Sequence, residues 1–305
     1  MLSFILRRLL IIVPMALLVV TVTWGLIRIA PGNFYSTEKK LPPAIEANIK
    51  KKYGLDKPVL QQYLIMMRNV LSGDFGDSLK YQGQTVNEII WRHLPYSATM
   101  GILAYLLALS VGLTVGILAA LRQNSGWDYG SMAGAMLGLS VPNFVLGPIL
   151  VLVFALWLHW LPPARWGGIE NMILPVFTLS VIYMAYIARL TRAGMLEVMR
   201  SDYIRTARAK GLDEKTVLLK HGLRGGIIPV VSFTGPALAS LLAGTVVVEK
   251  VFAIPGLGNI FIQSVLNRDE PLILGIVAFL SILIMVFNLL VDISYGFLDP
   301  RIRYE

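Results

Sequence analysis

A lysine and a threonine close the stretch Gly211-Leu-Asp-Glu-Lys215-Thr216, a pair that binds phosphate when glycines let the backbone wrap around it. Glu214 stands where the second of those glycines is needed, so the chain does not bind and hydrolyse ATP by that route. The 3 histidines, His93, His159 and His221, lie far apart, and none sits in an HExxH arrangement. No serine sits in a GxSxG elbow. The chain has 0 cysteines, which excludes disulfides, thiolate metal sites and cysteine nucleophiles. Ion-driven transport calls for carboxylates inside membrane spans, and Asp292 is the clearest of a sparse set. It reads as a structural partner for a basic residue or a helix N-terminus. Glu249 and Arg28 lie near the outer ends of their spans, where long side chains snorkel. Enzyme chemistry is therefore unsupported, and no catalytic, metal-binding or cofactor-binding residue is assigned.

Binding chemistry is better represented. The basic stretch Tyr203-Ile-Arg-Thr-Ala-Arg-Ala-Lys-Gly211 runs on to His221-Gly-Leu-Arg224 and Pro229 between long apolar segments. A charged helical loop with a glycine at its bend must face water. It is short enough to be rigid and long enough to touch another protein.

The elements that hold this loop follow from composition. Of 305 residues, 56% are hydrophobic and 15% charged, and mean hydropathy is +0.67. Soluble domains carry about 25% charged residues. The apolar residues fall in runs near the length that crosses a bilayer: Leu9–Ile27, Ala98–Leu121, Tyr129–Trp157, Met172–Ala188, Ile227–Val248 and Leu272–Phe297. This predicts an all-α polytopic membrane protein of about six transmembrane helices. The first run is too long for a signal-peptide core and lacks a clean cleavage site, so it reads as a retained span. The net charge of +9 is explained by basic loops on one side of a membrane, without nucleic acid.

Arg7, Arg8, Arg122, the basic loop, Arg301 and Arg303 fall on one side, against Arg165, Lys250 and Arg268 in the opposite short loops. The positive-inside rule puts both termini and the basic loop in the cytoplasm. The organisation expected is a cytoplasmic N-terminus and first helix over 1–30, an extracytoplasmic cap over 31–96, a core over 97–300 with a coupling loop at 200–224, and a tail over 301–305. Within the cap, Ala44–Tyr53 and Val59–Leu71 read as short amphipathic helices. Trp157, Trp160 and Trp166 with His159 read as an interfacial aromatic belt. Gly112, Gly116, Gly134 and Gly138 form small-xxx-small pairs that permit close helix contact. Pro142 and Pro148 are expected to kink the third span, and Gly235-Pro236 and Gly244 interrupt the fifth. With Glu249, Pro142, Gly235, Pro236 and Gly244 make up the candidate gating and packing residues.

These residues resemble those of a known family. The loop Tyr203–Leu212 with His221-Gly-Leu-Arg224 and Pro229 is similar to the cytoplasmic EAA loop of bacterial ABC-importer permeases. Arg205 replaces the namesake glutamate and Arg224 the later proline, departures shared by the peptide branch. Leu6-Arg-Arg-Leu9 with Pro14, Ala30-Pro-Gly32, Gly73-Asp-Phe-Gly76 with Ser78, Glu249 with Pro255-Gly-Leu-Gly258, and Asp299-Pro-Arg-Ile-Arg303 match that branch in order along the whole chain. The compact outer loop, with Leu41-Pro-Pro43 and Lys52-Tyr-Gly-Leu-Asp56, looks most like B-type oligopeptide-permease subunits.

The resemblance implies a type I ABC-importer permease fold and a subunit that forms half of a translocation path. It implies a homologous second (C-type) permease chain and an extracytoplasmic peptide-binding protein. ATP and Mg would be bound by two cytoplasmic ATPase subunits. Arg205, Ala207, Arg208, Ala209, Lys210, Gly211 and Leu212 would then couple to those ATPases. A helix capped near Asp202 would lie in an ATPase groove, with Ala207 and Ala209 allowing close approach and Arg208 and Lys210 meeting acidic or carbonyl groups. The push would pass through Val217, Leu218 and Leu219 into the fifth span, swinging the spans from inward-open to outward-open. Oligopeptides are the expected cargo; dipeptides, murein peptides, a nickel chelate or an ion-driven mode are the alternatives.

Overall fold

A computed structural model describes residues 2–29, 51, 54, 56–243 and 246–298. The candidate helix Ala44–Tyr53, the Leu41-Pro-Pro43 turn, Gly244 and the C-terminal motif from Asp299 lie outside or largely outside the described residues. The described residues are almost wholly helical, with one isolated antiparallel bridge between Asp77 and Thr85. In chain order the helices are α1 (Leu2–Ile29), α2 (Val59–Ser72), α3 (Val86–Leu121), α4 (Gly126–Ser140), α5 (Asn143–Leu150, continued by a π-helical stretch Val151–Trp157), α6 (Ile169–Met199) and α7 (Asp202–Ala209). Then come α8 (Glu214–Thr216), a π-helical stretch Val217–Gly222, α9 (Leu223–Gly226), α10 (Ile228–Ala243), α11 (Val246–Val251), α12 (Leu257–Leu266) and α13 (Glu270–Leu298).

Among the described residues 4 helices are long and apolar enough to cross a membrane, or up to 5 if one bent pair counts as a span. The exposed Leu10, Leu18 and Leu26 of α1 suit a lipid-facing surface. The expected fifth span has 16 described residues in α10, roughly 24 Å at helical rise, short of a full hydrocarbon crossing. The third span departs further from expectation. In place of a kinked rod there is a break, with Gly126–Ser140 and Asn143–Trp157 inclined at 103°. Val141 is extended (φ −94°, ψ 113°) and so is Pro142 (φ −62°, ψ 144°). The proline ring drives the residue before it out of helical geometry and offers no N–H to continue the ladder. Pro148 lies within α5, whose helix runs on into the π stretch.

Contacts divide the described residues into two compact units, one drawn from Ser97–Ile254 and the chain after Val286, the other from Leu2–Tyr96 and Pro255–Met285. In the first, α3 meets α6 at two glycines. A Cβ on Gly112 would stand 2.8 Å from Ile187 Cβ, and one on Gly116 2.5 Å from Thr191 Cβ. Gly138 approaches Val181 in the same way, whereas Gly134 faces open space. Small residues let the backbones close where lipid provides no hydrophobic drive.

In the second unit Val86, Ile89, Ile90, Leu257, Ile260, Leu272 and Ile276 form one core cluster, and Val20, Leu274 and Ala278 another. A buried carboxylate organises the loop before α3. Asp269 accepts hydrogen bonds from Ser78 Oγ at 2.5 Å, Leu79 N at 3.1 Å and Lys80 N at 3.2 Å. Buried carboxylates persist when hydrogen-bonded in this way. Burial, and then the Asp269 charge, pushes the Tyr81 phenol above its usual range, and Tyr81 Oη lies 3.0 Å from Gln263 Oε1 as its donor.

Candidate coupling site

The long helix α6 ends at a turn through Arg200 and Ser201, and α7 starts at once. Ser201 is the extended N-cap residue (φ −73°, ψ 157°), and its hydroxyl donates back to the Val198 carbonyl at 2.6 Å. The cap thus stands one residue before the expected Asp202, whose carboxylate pairs with Arg205 three residues on. Ile204 and Ala207, one helical turn apart, are buried against Val217 with Val198 beside them. Ala207 is 7% exposed. Its small side chain therefore serves close approach of α7 to the rest of this chain, and the expectation that it faces an ATPase groove is corrected. Arg205, Ala209, Lys210, Gly211 and Leu212 form the exposed part of the site.

Arg208 is exposed but engaged: its Nε donates to Glu214 Oε1 at 2.8 Å and its Nη2 to Glu214 Oε2 at 3.3 Å. An exposed pair of this kind contributes little stability by itself, but it ties α7 to α8 across the bend. The bend rests on Gly211, whose φ of +77° is left-handed. Its N–H donates to the Arg208 carbonyl at 2.9 Å. No atom lies within 4 Å of a Cβ built there, so the demand for glycine is conformational and not a matter of space. Asp213 then caps α8, accepting from Thr216 N at 3.1 Å. Hydrogen bonds from the Thr216 side chain and backbone hold its carboxyl below the usual range.

Beyond α8, Val217 is fully buried, whereas Leu219 is 62% exposed. Leu219 is thus not packed into this chain. The packed route leads instead to α6. A Cβ on Gly222 would meet Met199 Sδ at 2.9 Å, one on Gly226 Met195 Sδ at 2.4 Å, and one on Gly194 the Gly226 carbonyl at 2.3 Å. Such close contacts pack the π stretch and α9 directly against α6.

Of the candidate gating residues, Pro142 forms the helix break described above. Gly235 is buried against Val291 of α13, 2.6 Å from where its Cβ would be. Pro236 is exposed, and Gly244 lies outside the described residues. Glu249 does not snorkel: it is 0% exposed, and its Oε1 accepts from Ser97 Oγ of α3 at 2.6 Å. Arg28 is held too, donating to Gln62 Oε1 at 2.6 Å and Glu270 Oε1 at 3.2 Å and lying over the Trp24 ring.

Sequence reasoning missed the ion pairs, and among them the Asp128–Arg192 pair has its carboxylate buried. Asp128 of α4 is 1% exposed and takes both arms of the Arg192 fork from α6, at 2.5 and 2.8 Å. It also accepts from Asn124 N at 2.9 Å. The helix-start pattern Ser125-Gly-Trp-Asp128 was the available signal for Asp128, and nothing local to Arg192 marks it as the partner.

A model of the family described as binding-protein-dependent transport system inner membrane component matches residues 112–304. A model of the N-terminal part of such membrane components matches residues 1–100. The chain is 44% identical over 306 residues to the oligopeptide transport system permease protein OppB of Haemophilus influenzae, covering 100% of both. Identity to OppB of Escherichia coli K12 is 43% over the same span. The dipeptide transport system permease protein DppB of Bacillus subtilis is 42% identical over 287 residues, 94% of this chain and 93% of that protein. Among solved structures, a chain of the MetNI methionine ABC transporter aligns with TM-score 0.56 at 18% identity, covering 69% of this chain and 96% of that one. A chain of an amino acid ABC transporter aligns with TM-score 0.51 at 19% identity, covering 69% and 94%. At these identities the likeness concerns the fold.

Proposed function

Because the chain belongs to the family of binding-protein-dependent transport system inner membrane components, a multi-pass membrane permease of the ABC-importer fold, we propose that it carries oligopeptides inward. It forms half of the translocation path beside a homologous second permease. Two ATPase subunits, which bind ATP and Mg, drive it through α7 and the Gly211 bend, and an extracytoplasmic binding protein delivers the peptide. In this reading both termini are cytoplasmic and the subunit itself is non-catalytic. The observation that carries the oligopeptide assignment is the 44% identity to an oligopeptide permease across the full length of both chains. The exposed basic surface around Lys210 and the left-handed bend at Gly211 support the coupling role. Dipeptide transport is the second reading, favoured by the 42% identity to DppB.

The test is to purify the tagged chain in mild detergent, identify what accompanies it, and reconstitute the complex in liposomes. A homologous permease and ATPase chains should co-purify, and labelled oligopeptide should accumulate only with ATP and the binding protein. Accumulation by the chain alone under an ion gradient would overturn the proposal. Uptake of dipeptides with exclusion of longer peptides would establish the second reading.

A further inference from the structure

Which residues meet the peptide is not indicated by any of the coupling features, but one surface within the first unit has the chemistry for it. In the first half of α6 the exposed large apolar side chains are Ile169, Ile173 and Phe177, as expected toward lipid. Further along the same helix Tyr186 is 39% exposed and Arg189 is exposed. Tyr186 follows Phe177 by about two and a half helical turns, which places it on the opposite side of α6. On this half of α6, Ile187, Ala188, Thr191 and Met195 are buried, and Met195 and Ala188 continue the side that Phe177 occupies.

Phe233 of α10 bridges the two tyrosines of this face, its ring centroid 6.2 Å from Tyr183 and 5.4 Å from Tyr186. Arg189 Cζ lies 5.6 Å from the Tyr186 centroid. Ser240 of α10, about two helical turns on from Phe233, is exposed. Pro236, also exposed, brings no N–H to the Ser232 carbonyl one turn earlier, leaving a backbone acceptor without its usual helical partner. Hydroxyls and a freed carbonyl on one surface of two apolar helices are costly against hydrocarbon, and Arg189 stands just past the expected span end at Ala188. They are at home against water or a polar ligand.

We infer that this α6–α10 face is a peptide-contacting wall of the conduit. Phe233 and the tyrosines stack on peptide side chains of any sequence. The hydroxyls and the Ser232 carbonyl bond to backbone amides, and Arg189 receives the C-terminal carboxylate. The inference rests on the oligopeptide reading above and adds the residues that reading lacks.

The absence of native cysteine makes the test clean. Ser240→Cys, a swap of near-equal size, and Leu106→Cys, an exposed leucine of α3, are introduced separately into the full transporter in native membranes. Both are exposed to a membrane-impermeant maleimide, with and without a peptide that the same cells take up. The expected result is rapid labelling of Ser240→Cys, slowed severalfold by the peptide, and no labelling of Leu106→Cys. Resistance of Ser240→Cys to the reagent would overturn the inference, as lipid or a partner helix would then cover the face. Labelling indifferent to a peptide that is still imported would overturn it as well. Peptide uptake by cells carrying the parent chain is measured separately. If no peptide enters them, the oligopeptide reading fails and this occupant with it.

Discussion

Ala207 and Ala209 are near neighbours on one short helix with opposite fates. Ala207 is packed against Ile204 and Val217, while Ala209 is exposed. Overpacking a filled contact costs about 1–3 kcal/mol, so Ala207→Leu should lower the thermal unfolding midpoint of the purified complex. Ala209→Leu should leave that midpoint unchanged and act only where α7 meets a partner. Asp213 offers a pH-dependent check at the same scale. Its carboxyl is held below the ordinary value, so the stabilisation it gives α8 is present above the unfolded pKa and is lost as pH falls through the lower folded one. The Thr216 amide resonance should shift on acidification through that window, and the shift should vanish in Asp213→Asn.

Between elements, the Asp128–Arg192 pair fastens α4 to α6 close to where α6 hands over to α7. Removing the guanidinium strands a carboxylate that is 1% exposed. Arg192→Ala should cost about 1.5–3 kcal/mol, the range for hydrogen bonds to charged groups. The double variant Asp128→Asn/Arg192→Ala should recover part of that loss in the same thermal assay. The pair was not legible beforehand, because residues 64 positions apart leave no periodic trace of their meeting. Glu249 was misread for a related reason: hydropathy placed it at a span end, and only the α3 packing shows that Ser97 meets it. Helix extent was legible where it is apolar and lost where it is not. The run from Ala98 was plain, but α3 begins at Val86, across Glu88, Arg92 and His93, which hydropathy reads as loop. Pro142 was recognised as a disturbance, yet a 103° break depends on both Val141 and Pro142 settling in extended geometry.

At the scale of the molecule, the membrane character and the family were legible, because apolar run lengths and ordered motifs are local properties of the chain. Coupling is a property of the assembly. Packing from α7 through Val217 and the Gly222, Gly226 and Gly194 contacts gives a rigid path from the exposed loop into α6, and α6 also carries the inferred peptide-contacting face. In the proposed function the bend at Gly211 would set the angle at which that path meets the ATPases. The most direct measurement replaces Gly211 with valine, which pays about 1–3 kcal/mol of backbone strain at positive φ, and compares the reconstituted transporters. The account predicts that all subunits still co-purify, while peptide uptake and binding-protein-stimulated ATP hydrolysis are lost together. Peptide uptake and stimulated hydrolysis at parental rates in Gly211→Val would contradict it.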